Sequence, residues 1–159
     1  MEPERETSST NTASSLREAS LSADSGIDAA AQFSADLIPQ IQESGWAPAF
    51  ERLEKELERY EEETGGTVEE LLPPSVEPLA FQVPSLRRGE EFARKVLCDS
   101  KEDVRAPIEG SVQFGLPVVI GAVMGSLSLP PVAIGVAATI AAIVMVRGIK
   151  GFCEDVAGE

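Results

Sequence analysis

The residue types that most often perform enzyme chemistry are scarce in this sequence. Histidine is absent, which removes the commonest general base and a frequent metal ligand. Phosphate-binding and nucleophile-elbow patterns are also missing. The two cysteines, Cys98 and Cys153, have no histidine to activate them and are too few for a thiol zinc site. The sequence therefore predicts no enzyme, no metal, no cofactor and no small-molecule substrate.

The cysteines and the carboxylates have simpler interpretations. We expect Cys98 and Cys153 to be reduced thiols, because disulfides are rare in the cytosol. Cys153 follows an apolar segment, so it is predicted to be an inert interfacial thiol or, alternatively, a palmitoylation site. The acidic runs Glu54–Glu58 and Glu61–Glu63 are typical of solvated helix faces rather than of acid–base pairs.

Charge is distributed very unevenly along the chain. The 27 acidic and 13 basic residues give a formal net charge of −14, which disfavours nucleic acid as a partner because phosphates bind clustered Lys and Arg. No residue from Gly110 to Val146 is charged. A single soluble fold usually intersperses polar and apolar residues along each element. This separation predicts that the two parts of the chain meet different solvents, water and a lipid bilayer.

The uncharged segment predicts two hydrophobic helices, Val112–Leu129 and Val132–Val146, joined at Pro130-Pro131. At 1.5 Å per residue the helices are about 27 Å and about 22 Å long, against about 30 Å for a bilayer core. Each just spans when its apolar flanks are included. We therefore expect a transmembrane hairpin.

Small residues recur at helical spacing on both predicted helices. Gly121 and Gly125 form a GxxxG pair, and Gly135, Ala138 and Ala142 lie on the second helix. In lipid, helices associate where small residues permit close backbone approach. These residues are predicted to pack the two helices together, or to pack the hairpin against another copy.

Basic residues flank the hairpin. Arg105 precedes it, Arg147 and Lys150 follow it, and the turn carries no charge. These three residues are predicted to anchor the hairpin at the membrane interface. By the positive-inside rule, we expect a membrane protein with two spans and both termini in the cytoplasm.

The rest of the chain is predicted to be helical or disordered, which makes the fold class all-α. The predicted regions are a disordered acidic tail at 1–25, acidic amphipathic helices at 26–72, a proline-rich linker at 73–84, a basic-patch helix and connector at 85–106, the hydrophobic hairpin at 107–153 and a C-terminal tail at 154–159. Thr67 and Glu70 are predicted to form a capping box.

A narrow apolar stripe runs along the predicted helix Pro48–Thr64. Its members, Phe50, Leu53, Leu57 and Tyr60, follow heptad-like steps. The stripe could pack on the preceding amphipathic helix of the same chain. Alternatively it is a seam that docks a partner helix or a second copy.

These observations predict a small non-enzymatic protein anchored in the bilayer by its hairpin, with cytoplasmic acidic helices that dock a partner. One alternative is a membrane-active, pore-forming effector whose hairpin is restrained by the acidic region. Another is a soluble helical protein that hides the hairpin, within itself or against a partner. No ionisable residue lies inside the hairpin helices, which favours the anchored protein over a conducting one.

Overall fold

A computed structural model describes residues 15–74, 76–81, 83 and 86–157, which contain helices and no strand. The helices are α1 (Ser15–Ser44), α2 (Ala47–Thr64), α3 (Leu86–Leu97), α4 (Glu102–Ser111), α5 (Leu116–Leu127) and α6 (Ile134–Ala157). Short 3-10 turns cover Val68–Leu71, Val112–Phe114 and Pro131–Ala133. The predicted all-α class is confirmed for these residues.

The first two helices follow the predicted amphipathic pattern with small differences. α1 begins at Ser15, so it includes the last residues of the predicted tail, while residues 1–14 lie outside the described residues. It continues as one helix through Pro39. α2 ends at Gly65, whose φ of 72° is a left-handed conformation that glycine adopts without steric cost.

The segment between α2 and α3 contains the predicted capping box. Thr67 and Glu70 cap each other's backbone at the 3-10 turn. The described part of the proline-rich segment is not helical, and Leu79 within it is buried against the core. This linker is therefore packed on the fold along part of its length.

α6 lies at the centre of the fold. α1, α2 and α5 make most of the contacts with it, and α3 and α4 complete its enclosure. Most charged side chains of α1 and α2 lie on the exposed faces of these two helices, as the amphipathic pattern requires. The hydrophobic segment is thus the core of a helical assembly in this structure.

The hairpin differs from the prediction in its first helix. Gly115, at φ 100° and ψ 171°, interrupts the predicted helix, so α5 has 12 residues from Leu116 to Leu127. That helix rises about 18 Å, well short of a bilayer core of about 30 Å. Among the described residues, one helical segment, Pro131–Ala157, is long and apolar enough to cross a membrane, with a mean hydropathy of 2.2 over an 18-residue window within it. A buried core helix satisfies the same criteria.

Candidate functional site

The middle of α6 is fully enclosed. Every side chain from Val136 to Val144 is at most 1% exposed. Exposing a buried Val or Ile side chain to water costs roughly 2 kcal/mol. Exposing Val136, Ile140, Ile143 and Val144 would therefore cost on the order of 8 kcal/mol. This segment is therefore stable only where other apolar groups keep it out of water.

α1 approaches α6 closely where both helices carry small residues. The Ser34 hydroxyl donates a hydrogen bond to the carbonyl oxygen of Ala138, 2.5 Å away. Ala138 and Ala142 are completely buried. Both residues are therefore enclosed within the fold. Ala138 contacts Ser34 of α1, whereas the sequence predicted a contact with the first helix of the hairpin or with another copy.

The predicted packing glycines have different surroundings. Gly135 lies beside the Glu56 side chain of α2, so that a β-carbon at position 135 would collide with its carboxylate. Gly121 and Gly125 are exposed, and a β-carbon at either position would meet no atom within 4 Å. The expected contact of Gly121 and Gly125 with the second helix is therefore absent from this structure. Their outer face is open.

The predicted partner seam is buried inside the chain. Phe50, Leu53, Leu57 and Tyr60 are each at most 7% exposed. α2 directs them toward α1, α3 and α6, so the intramolecular alternative describes their position and no seam is open to a partner. Gly89 of α3, which the sequence did not single out, makes this possible. A β-carbon there would lie 2.5 Å from the Phe50 carbonyl oxygen.

An ion-pair cluster joins α3 to α2. Arg88 is 2% exposed and forms ion pairs with Glu54 at 2.7 Å and with Glu61 at 3.1 Å. Burial by itself lowers the pKa of Arg88, but its hydrogen bonds to the two carboxylates outweigh burial and raise the pKa above its ordinary value. The guanidinium is therefore charged at any ordinary pH. It joins α3 to α2 through Glu54, which is nearly buried, and Glu61, whose side chain is 31% exposed.

The carboxy-terminal end of α6 is bent away from the rest of the helix. Gly148, at φ 75° and ψ 170°, interrupts it in a conformation that is essentially restricted to glycine. Beyond this break, Phe152 packs edge-on against Trp46 with 4.9 Å between ring centroids. The Trp46 indole donates to Asp155 at 3.3 Å, and Arg147 pairs with the same carboxylate at 3.3 Å. The bent segment is thus docked at the start of α2.

A disulfide joins Cys98, just after α3, to Cys153 in the bent segment, with 5.7 Å between the α-carbons. The expectation of two reduced thiols is wrong for this structure. A bonded Cys153 also has no free sulfur for palmitoylation. Two cysteines separated by 55 residues carry no sequence signal of proximity, because that proximity arises from the packing of α3 beside α6.

The predicted interface anchors are divided between two places. Arg105 and Lys150 line one open groove together with the disulfide, and Arg105 pairs with Glu102 at 3.6 Å. Arg147 lies instead beside Trp46 and Asp155. The three cations therefore do not form a single belt in this fold.

In comparisons with known proteins, the chain matches no protein-family model, no curated protein and no solved structure.

Proposed function

We propose that this protein is a membrane-active effector whose α6 is the buried core helix in water and inserts into a bilayer when released. The observation that carries the proposal is the double character of one segment. Pro131–Ala157 is the segment with the length and hydropathy of a membrane span, and its centre, Val136–Val144, is also the most completely covered part of the fold.

The break at Gly148 supports a change in the shape of α6. In water the break allows the end of the helix to fold back onto Trp46. A continuous helix of 27 residues from Pro131 to Ala157 rises about 40 Å, enough to cross a bilayer core of about 30 Å with its charged end in the headgroups. A bilayer favours this straight form, because unpaired backbone groups at a break are costly in lipid.

The outer surface of the hairpin is compatible with lipid. Phe114 is 66% exposed, Val118 45% and Val132 40%, and Gly121 and Gly125 lie between them without side chains. This surface belongs to the uncharged stretch Gly110–Val146. Because this surface has no charge, its contact with the bilayer would remove no charged group from water. We therefore place α5 as the part of the hairpin that meets the bilayer first.

The anchored adaptor, the other function predicted for this chain, has less support. It requires a seam for a partner, and that seam is buried. A second full span would require a helix that continues through Pro117, which lies in the first turn of α5 and has no backbone N–H to donate. The proposed bilayer form therefore has α6 as its span, with α5 beside it near the interface.

Vesicle flotation tests the proposal. Chains carrying Cys98→Ser and Cys153→Ser, with and without Gly148→Ala, would be mixed with phosphatidylcholine vesicles and floated. Alanine at 148 strains the bent form by about 1–3 kcal/mol and favours the straight helix, so we expect a several-fold larger floated fraction. Gly65→Ala, which strains another positive-φ glycine outside the hairpin, is the matched control and should change little. Equal flotation of the Gly148→Ala chain and its parent, or no flotation of either, would count against the proposal.

A further inference from the structure

We propose that the disulfide between Cys98 and Cys153 is a site of thiol–disulfide exchange with a small-molecule thiol, and that its reduction releases the bent end of α6. The exchange reaction and the release of the bent end of α6 do not depend on a membrane. The consequence for membrane binding rests on the function proposed above.

Access to the sulfur atoms supports the exchange. Both cysteines are partly buried rather than enclosed in the core, and they line an open groove of about 470 Å³. Space of this size admits a thiol of a few heavy atoms, whereas a disulfide inside the core could be reached only after unfolding. The disulfide is therefore placed where a reductant can attack it in the native fold.

The groove also carries charges that bear on the reaction. Arg105 and Lys150 line it beside the two cysteines. Cations near a sulfur atom stabilise the thiolate over the thiol, which makes the departing sulfur a better leaving group. The remaining charged groups of the groove are the carboxylates Glu102, Glu109 and Glu154.

The reaction is balanced by two equivalents of thiol. The thiolate of the first attacks one cysteine sulfur, the S–S bond breaks, and its electron pair leaves on the other sulfur, which takes up a proton. The thiolate of the second attacks the mixed disulfide and displaces the protein sulfur as a second thiolate. This thiolate takes up the second proton released by the small thiols, which are oxidised to their disulfide while Cys98 and Cys153 are reduced to two thiols.

The position of the bond explains why its loss would matter. Cys153 lies on the carboxy-terminal side of the Gly148 break, so the disulfide fixes the bent segment to the end of α3. The other interactions that hold this segment include the ring contact and the hydrogen bond of Trp46 and the ion pair of Arg147 with Asp155. The ion pair is solvent-exposed and contributes little. The disulfide is thus the only covalent restraint on straightening of α6 among the described residues.

Reduction of the full chain under native conditions tests the proposal. The oxidised protein would be incubated with dithiothreitol without denaturant, and thiols would be counted while backbone hydrogen exchange is followed by mass spectrometry. We expect two thiols to appear, exchange of residues 149–157 to accelerate by about tenfold or more, and exchange of 136–144 to remain slow. The chain with Cys98→Ser and Cys153→Ser should behave like the reduced protein. The emission of Trp46, the single tryptophan, should shift to the red.

The possible results separate this proposal from the proposed function. If thiols appear only after denaturant is added, or if reduction leaves exchange of 149–157 unchanged, the exchange site or its effect on α6 is refuted. If Arg105→Gln with Lys150→Gln does not slow reduction, the role given to the two cations is wrong. If reduction accelerates exchange but the reduced protein does not float with phosphatidylcholine vesicles, the redox site stands and the membrane function fails.

Discussion

Ser34 of α1 and Ala138 of α6 are joined by a hydrogen bond of 2.5 Å, and both residues are completely shielded from solvent. The donor is a side chain of α1, one of the helices that surround α6, and the acceptor is a backbone carbonyl of α6 itself. A carbonyl in the middle of a membrane span would have only its own helix as partner. The bond therefore marks the place where the surrounding helices make a polar contact with α6 that lipid chains could not provide.

Substitution of Ser34 tests this contact. Ser34→Leu replaces the hydroxyl oxygen with three carbon atoms at a completely buried position, and we expect a loss of about 1–3 kcal/mol in the free energy of unfolding. Ser34→Ala removes only the hydrogen bond and should cost about 1 kcal/mol. Urea unfolding measures both. Ser44→Leu, at an exposed position of α1, is the control, and a similar loss there would show that position 34 is not special.

Alanine substitutions should lower stability at a glycine that contacts a neighbouring helix and raise it at a glycine that faces solvent. Gly89→Ala would place a β-carbon 2.5 Å from the Phe50 carbonyl oxygen, so α3 must move away from α2, and we expect a loss of about 2 kcal/mol or more. Gly121→Ala and Gly125→Ala meet no atom within 4 Å and should each stabilise α5 by about 0.5–1 kcal/mol. Thermal unfolding decides. Destabilisation by either α5 substitution would mean that those glycines make a contact in solution.

The buried cluster of Arg88 should behave as a unit. Arg88→Met leaves the Glu54 carboxylate buried without its cation, and we expect a loss of about 3–5 kcal/mol. Combining it with Glu54→Leu should recover part of that loss, and a double-mutant cycle measures the coupling. Arg59→Met removes the exposed ion pair with Glu63 and should cost less than about 1 kcal/mol. Strict additivity at positions 54 and 88 would contradict the cluster.

Tyr60 provides a pH-dependent test. Burial raises its pKa above the ordinary value of 10.0, and the hydrogen bond that it donates to Glu70 raises it further. Because the folded state holds the phenolic proton more tightly, this contribution to stability is fully present below pH 10 and is lost as pH rises through the folded-state pKa.

The chain has one tyrosine, so absorbance near 295 nm reports its ionisation directly. The midpoint should lie above that of the urea-unfolded chain, and Glu70→Gln should lower it while keeping a capping side chain. A midpoint in the folded protein equal to that of the unfolded chain would show that Tyr60 is not buried beside Glu70.

Most helices of this fold can be predicted from the sequence, because the spacing of apolar residues and the positions of glycine and proline depend on local structure. The Thr67–Glu70 capping box and the end of α2 at Gly65 are examples. The packing of the other helices around α6 could not be predicted in the same way. Whether a hydrophobic helix meets lipid or other helices depends on how α1 and α2 pack, and that is a tertiary property.

The elements that control the end of α6 left weaker signals. Gly148 resembles any other small residue in an apolar helix, and only the backbone shows its positive φ. The pairing of Cys98 with Cys153 depends on the approach of α3 to the bent segment. Gly89 and Phe50 meet for a similar reason, since the close crossing of two helices is not encoded in the spacing of either.

The most direct test of the central claim is the depth of α6 in a bilayer. Trp46→Phe removes the native fluorophore, and Met145→Trp places a single tryptophan on the apolar part of α6, at a partly buried position that already holds a large side chain. The reduced protein would be mixed with vesicles whose phospholipids are brominated near the middle of the acyl chains. We predict strong quenching of the tryptophan at position 145 by these lipids, and none when the disulfide is intact. Vesicle-bound protein whose tryptophan at position 145 remains unquenched would contradict the claim that α6 leaves the core for the bilayer.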